Sequence, residues 1–299
     1  MFGRLFRKRK LDQVSQLTVI NRDGGGAQVI YETDDLIEAP YWTPDGQWLI
    51  FNGGGRLFRV RSDGSAAPEL IDTGAINAAT NDHLVSPDGQ SVYFTSDGCL
   101  YAVALTGGVP RKVSNEHPPH ANLSYYLHGI SPDGQWLSFV GVHSGAKSDP
   151  HAIYLIAAAG GAERRLTHTK EPVDGPEFSP DGRWIYFNSE LNGRRPGHSQ
   201  LFRMHVDGTH IEQLTSDERV NWFPHASPDG QWLMYLSYAE KTQGHPANVD
   251  VLLRVMPAGG GAVQDVVKLF GGQGTTNVNG WAPDSQRFAF MAYPVKPAD

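Results

Sequence analysis

The segment EFSPDGRWIYF (residues 177–187) decides the fold, because close copies of it recur along the chain. The others are YWTPDGQWLIF (41–51), LVSPDGQSVYF (84–94), GISPDGQWLSF (129–139), HASPDGQWLMY (225–235) and GWAPDSQRFAF (280–290). Their prolines stand at 44, 87, 132, 180, 228 and 283, a period of 43 to 55 residues that suits a four-stranded propeller blade. Each copy reads as a hairpin. An apolar strand A leads into a Pro-Asp-Gly turn, where Pro presets φ and Gly accepts a positive φ, and an apolar strand B follows.

A second hairpin, strands C and D, follows five of the six copies: LFRVRSDGSAAPELI (57–71), LYAVALTGGVPRKV (100–113), IYLIAAAGGAERRL (153–166), LFRMHVDGTHIEQL (201–214) and LLRVMPAGGGAVQDV (252–266). The sixth stands ahead of the first repeat as LTVINRDGGGAQVIY (17–31). This displaced copy predicts an all-β, six-bladed propeller closed by N-terminal strands C and D pairing with C-terminal strands A and B, which removes open edges. A solenoid would instead need capping repeats. The expected organisation is a basic tail at 1–16 and one propeller domain at 17–295.

Composition agrees. With 34 Gly and 20 Pro in 299 residues, a helical bundle is excluded, and 39 % hydrophobic residues suffice for a core. Net charge is −7, but Arg4, Arg7, Lys8, Arg9 and Lys10 crowd the start, so residues 11–299 carry −12. An acidic body speaks against nucleic acid as a partner, since phosphate tracking needs Lys and Arg. The longest apolar run, 152–159, is too short to span a bilayer. The start lacks the apolar stretch of a secretory signal, and Cys99 is the only cysteine, so a cytoplasmic setting is expected.

The PDG-centred repeats over 17–293 resemble the PD40 or TolB-like propeller family. The Gly-His and Trp-Asp signature of WD40 repeats is absent. TolB proper is periplasmic and carries an α/β domain before its propeller; neither that domain nor a signal is expected here. Prolyl oligopeptidase-like enzymes pair similar propellers with an α/β-hydrolase domain, but no G-x-S-x-G occurs. A weaker resemblance, to oligogalacturonate lyase propellers, implies a metal held by His and Gln near the axis.

The PDG turns are short, and their aspartates, Asp45, Asp88, Asp133, Asp181, Asp229 and Asp284, are expected to shape the turns. The long polar loops and ten of the twelve histidines fall on the opposite face, which is therefore the expected binding face. Four residues before the turn proline stand Pro40, His83, His128, Pro176, Pro224 and Asn279; two positions earlier stand Glu38, Asn81, Tyr126, Asp174, Trp222 and Asn277. In an extended strand both rows share one face, which predicts a polar ring at a funnel mouth. His83, His128 and His225, with Gln273 or His245, are candidates to hold a divalent metal (Mn, Zn or Ca) or to act as acid and base, with Asp174 among the catalytic candidates; hydrogen bonding between blades is the competing reading. Asp82, Asp174 and Glu177 are candidate carboxylate ligands or bases, or satisfy loop amides.

Trp222 and Phe223 offer a stacking platform for a sugar or peptide, or pack between blades. Arg194 and Arg195 suit a substrate carboxylate, or solvate a loop. Trp48, Trp136, Trp184 and Trp232, which recur in strand B, are expected in the core. Two functions fit these residues: a binding module for a small molecule, oligosaccharide or peptide, using Glu38, Asn81, Asp82, Trp222, His245, Gln273, Asn277, Arg194 and Arg195; or a metal-assisted lyase or hydrolase acting on acidic oligosaccharides.

Overall fold

The same local turn seeds each blade. In the computed structural model, which describes residues 13–117, 123–143 and 151–296, the hydroxyl of Ser86 donates to Asp88 at 2.5 Å, and the same carboxylate accepts the Gln90 amide at 3.0 Å. The hydroxyl also accepts the Ser91 amide at 2.9 Å, which clamps the first residue of strand B to the last of strand A. Thr43, Ser131, Ser179 and Ser227 repeat this pattern with Asp45, Asp133, Asp181 and Asp229. The turn glycines sit at φ 69–71°, where a side chain is strained. The expected turn role of the six aspartates is therefore observed. The Ser179 hydroxyl is the main cause that lowers the Asp181 carboxyl to about 2. In the last repeat Ser285 replaces Gly at φ 58°, and its hydroxyl accepts the Asp229 amide of the neighbouring blade at 3.0 Å.

Five antiparallel sheets of four strands in chain order form blades 1 to 5, over 37–71, 79–112, 123–165, 173–213 and 220–272. The sixth blade joins the ends of the chain: Arg287–Ala292 pairs with Ser15–Asn21, which pairs with Gln28–Thr33. The register runs from Gln16↔Ala292 to Asn21↔Arg287, so the predicted closure is found. Strand A of this blade shrinks to one bridge, Trp281↔Phe288. Of the tail expected at 1–16, residues 1–12 lie outside the described residues. Gln13 bridges Val295, and Ser15 and Gln16 already belong to the closing strand. The described residues contain no helix, and hence none long and apolar enough to cross a membrane.

Apolar side chains collect into six clusters, each made by two adjacent blades. Leu17, Val19 and Met291 of blade 6 meet Trp42, Leu49 and Phe51 of blade 1, and Phe288 and Phe290 of blade 6 meet Met234, Leu236 and Val255 of blade 5. The other four clusters join blades 1 to 5 in sequence. The tryptophans of strand B depart from expectation. Trp136 is 39 % exposed, and Trp48, Trp184 and Trp232 are half-buried. Three of them lie under guanidinium groups: Arg59 is 4.5 Å from the Trp48 ring, Arg203 is 4.1 Å from Trp184, and Arg22 is 4.0 Å from Trp232. A cation over an aromatic face stabilises a ring that solvent still reaches.

Because the closing strand serves two blades, truncating its buried face is expected to be costly. Leu17→Ala should lower unfolding free energy by about 2–5 kcal/mol in urea denaturation, as for other large-to-small core changes. A loss under about 1 kcal/mol would mean that the terminal strand does not hold the ring shut.

Candidate functional site

The inner strands break register at one level. In blades 1 to 5 the pairing of A with B slips between Glu38 and Tyr41, Ala79 and His83, Leu127 and Gly129, Asp174 and Glu177, and Trp222 and His225. In three of these bulges a residue enters the left-handed region: Ala39 at φ 56°, Gly175 at 61° and Phe223 at 55°. A bulge re-aims the side chains around it. The expected strand alternation, with both polar rows on one face, therefore fails: His128, Asp174 and Trp222 gather at the mouth, while His83 is sealed in the wall and Asn279 bonds between blades.

The mouth cluster draws on four blades. His128 of blade 3 sets Nε2 3.0 Å from Asp174 Oδ1 of blade 4, which also accepts the Gly175 amide at 2.7 Å. The Phe223 ring of blade 5 stacks on His128 at 5.9 Å. His245, at the foot of the long hairpin Ala247–Pro257 and Gln264–Gly272, packs 4.4 Å from Trp222 and 5.2 Å from Phe223. Its Nδ1 is bonded to Gln273 Oε1, and its Nε2 stands 3.8 Å from Asp174 Oδ2. Asp82 of blade 2 is buried and accepts the Thr80 hydroxyl at 2.8 Å.

These groups tune one another. Burial alone would discharge His128, but the hydrogen bond and charge of Asp174, with Asp82 and the Asn277 carbonyl, hold its pKa above the usual imidazole value. Burial works against the Asp174 carboxylate too; the His128 bond and the two histidine charges outweigh it, and its pKa falls. Burial raises Asp82, reinforced by Asp174 and opposed by His128 and Thr80. Burial lowers His245 despite Asp174 and Gln273. Two carboxyls of one site thus shift in opposite directions, the arrangement that separates an acid from a base. Tyr126 joins them: burial and the charges of Asp82 and Asp174 raise its phenol.

The remaining candidates are placed elsewhere. His225 spends both ring nitrogens, on Glu177 Oε2 at 2.7 Å and on the Thr276 carbonyl at 2.8 Å. Glu177 also accepts the Ala226 amide and the Asn279 amide group, so the three blades 4, 5 and 6 are tied through one carboxylate. His225 and Glu177 are thus engaged between blades, and the amide that Glu177 accepts is that of a strand residue, Ala226. His83 is fully buried, and neither ring nitrogen has a hydrogen-bond partner. Burial lowers its pKa to about 4, offset only in part by the carbonyls of Ile50, Thr80 and Ala39. Arg194 pairs with Glu218 and donates to the Ser216 carbonyl, and Arg195 donates to the Glu218 carbonyl, so both clasp a loop. Asn277 Oδ1 accepts the Gly274 amide at 2.7 Å, Glu38 lies against Gly274, and Asn81 is buried beside Asp82.

The set His83, His128, His225 and Gln273 is therefore not assembled around a common point. Among the described residues no three His, Cys, Asp or Glu side chains are disposed to hold a metal ion. His128 and Asp174 face each other, and His245 faces Gln273, as hydrogen-bonded pairs. The sequence had given notice of the bulge. Asp174-Gly175-Pro176 is a turn signal inside an apparent strand. On the opposite face a cleft of about 460 Å³ opens between blades 4 and 5, but Asp181, Arg203 and Asp229 there are bonded to neighbours.

A ring of six blades whose inner strands meet at a polar axial mouth defines a six-bladed β-propeller. Residues 122–256 match the family described as PD40, the TolB beta propeller domain. The chain is 39 % identical over 289 residues to the protein Atu1656 of Agrobacterium fabrum, covering 94 % of each. A solved TolB-type structure from Agrobacterium tumefaciens is 37 % identical, with a TM-score of 0.86 over 95 % of this chain and 99 % of that one. The chain belongs to the TolB-like PD40 propeller family. An oligogalacturonate lyase solved in complex with manganese shares the fold alone, at 15 % identity and a TM-score of 0.58 over 84 % of this chain and 72 % of that one.

His83 makes a pH prediction. Its folded pKa of about 4 lies below the ordinary 6.5, so the unfolded chain binds the extra proton between those values. The stability linked to this ring is fully present above pH 6.5 and is lost as pH falls toward 4, by about 3 kcal/mol in all. His83→Leu should hold neutral-pH stability within about 1 kcal/mol, because no bonded partner is left behind, and should unfold less readily than wild type at pH 4.5. Equal acid sensitivity in urea titrations of both proteins would refute this account.

Proposed function

We propose that this propeller is a binding module whose axial mouth takes a small polar ligand or the end of a peptide. The observation that carries this reading is the meeting of His128, Asp174, Phe223, Trp222 and His245 from three blades and a crossover, with polar atoms still open. His128 Nδ1 and Trp222 Nε1 are buried without a hydrogen-bond partner. Buried polar groups are costly when unsatisfied, so a partner from outside the chain stabilises them. The single cysteine and the acidic body support a cytoplasmic setting and a partner other than nucleic acid.

The second reading, a carbohydrate-active enzyme, draws on the opposed shifts of Asp82 and Asp174. An acidic oligosaccharide needs a cation to offset its carboxylates. Arg194 and Arg195 are engaged with Glu218, and the main charges acting on Asp82, His128, Asp174 and His245 are those of one another. The mouth suits a uronate poorly. Incubation with oligogalacturonate, with and without Mn²⁺, should give neither thermal stabilisation nor the ultraviolet absorbance of an unsaturated product. Turnover that disappears in His128→Gln would replace the binding reading with the enzymatic one.

A further inference from the structure

The open atoms at the mouth specify what they lack. His245 Nδ1 is bonded to Gln273 Oε1 and so carries the proton, which leaves Nε2 as an acceptor in the neutral ring. Burial keeps that ring neutral. Facing it, Asp174 Oδ2 belongs to a carboxylate whose pKa is lowered and whose side chain is 25 % exposed. The two acceptors stand 3.8 Å apart, too far for a direct bond between them and close enough for one donor group to serve both. A second carboxyl, Asp82, acts on His128, the other partner of Asp174. Beside His245 stands an open donor, the Trp222 Nε1 group, which is buried without a hydrogen-bond partner.

Resting on the binding reading above, we propose that the ligand carries a protonated primary amine next to a hydroxyl or carbonyl oxygen, the pair of groups found in an amino sugar. The ammonium donates to Asp174 Oδ2 and His245 Nε2, and the neighbouring oxygen accepts from Trp222 Nε1. The aromatic faces of Trp222 and Phe223 supply the apolar contact that a pyranose ring offers on one side. A carboxylated sugar would meet two acceptors, one of them a carboxylate, and is rejected by the same geometry.

Three sugars of one shape and different charge separate the outcomes. The indole signal of Trp222 in ¹⁵N-labelled protein, assigned by its loss in Trp222→Phe, is followed while glucosamine, glucose or glucuronate is added at pH 7 and constant ionic strength. Glucosamine should move the signal at concentrations roughly tenfold below glucose, as a charge-assisted bond to a carboxylate predicts, and glucuronate should not move it. Asp174→Asn should bring glucosamine to the glucose level. If that variant loses its dispersed spectrum, His245→Phe removes the other acceptor and should do the same. A response to glucose or glucuronate equal to that of glucosamine overturns the amine and leaves the mouth as a binding site. Silence toward all three overturns both, and an undiminished preference in the folded variants overturns the amine contacts.

Discussion

The ring exists only because its ends meet. Six ladder positions, from Gln16↔Ala292 to Asn21↔Arg287, join the first strand to the last across almost the whole chain. Closing so long a loop costs little more entropy than closing a short one, since the cost grows only with the logarithm of length. What is gained is large. The apolar faces of blades 5 and 1 are covered by Phe288, Phe290, Leu17 and Val19, which have nowhere to go in an open chain. Each blade is too thin to own a core, so every one of the six clusters needs both of its neighbours. A ring without its last pair would leave apolar surface at both broken ends.

Closure also fixes what the interior can do. Inner strands from all round the ring crowd toward one axis, and beside the bulges of blades 4 and 5 Asp174 and Trp222 come up against His245. The backbone is strained there. Phe223, a bulky residue at φ 55°, is held by the Asn188 side chain, which accepts its amide at 3.0 Å. Such conformations cost about 1–3 kcal/mol and persist where the surroundings impose them. Rigid blades supply that imposition and place His128, Asp174 and His245 without any dedicated scaffold.

The sequence told the fold far better than the site, and the reason is physical. Ser86, Asp88 and Gly89 act within a few residues of one another, so the turn is a local event written in a local motif. The displaced hairpin at 17–31 needed only counting to announce closure. His83 and His128 occupy equivalent places in their repeats, yet one is sealed among carbonyls without a bond and the other is paired with Asp174. That difference depends on neighbours from other blades. His225 belongs to the same case: its partners, Glu177 and Thr276, lie 48 and 51 residues away. The strand-B tryptophans misled because recurrence of an aromatic marks a conserved place in the repeat, and here that place is a surface stacked under arginines.

A shared propeller therefore settles little about chemistry, and the electrostatics of the mouth settle more. The manganese-bound lyase fold and this one superpose at a level that concerns backbone alone. Any site must balance the charge it presents against the charge it receives. Here Asp82 and Asp174 share one low-dielectric mouth; burial raises the pKa of Asp82, and the charge of Asp174 adds to it. His128 relieves Asp174 by a hydrogen bond and its charge; His245, whose own pKa burial lowers, stands 3.8 Å from the other oxygen and relieves it less. A positive group arriving between His245 and Asp174 lowers the energy of both carboxyls at once, whereas a negative one raises it. The direction of selectivity thus follows from which side of Asp174 the protein has left unpaired.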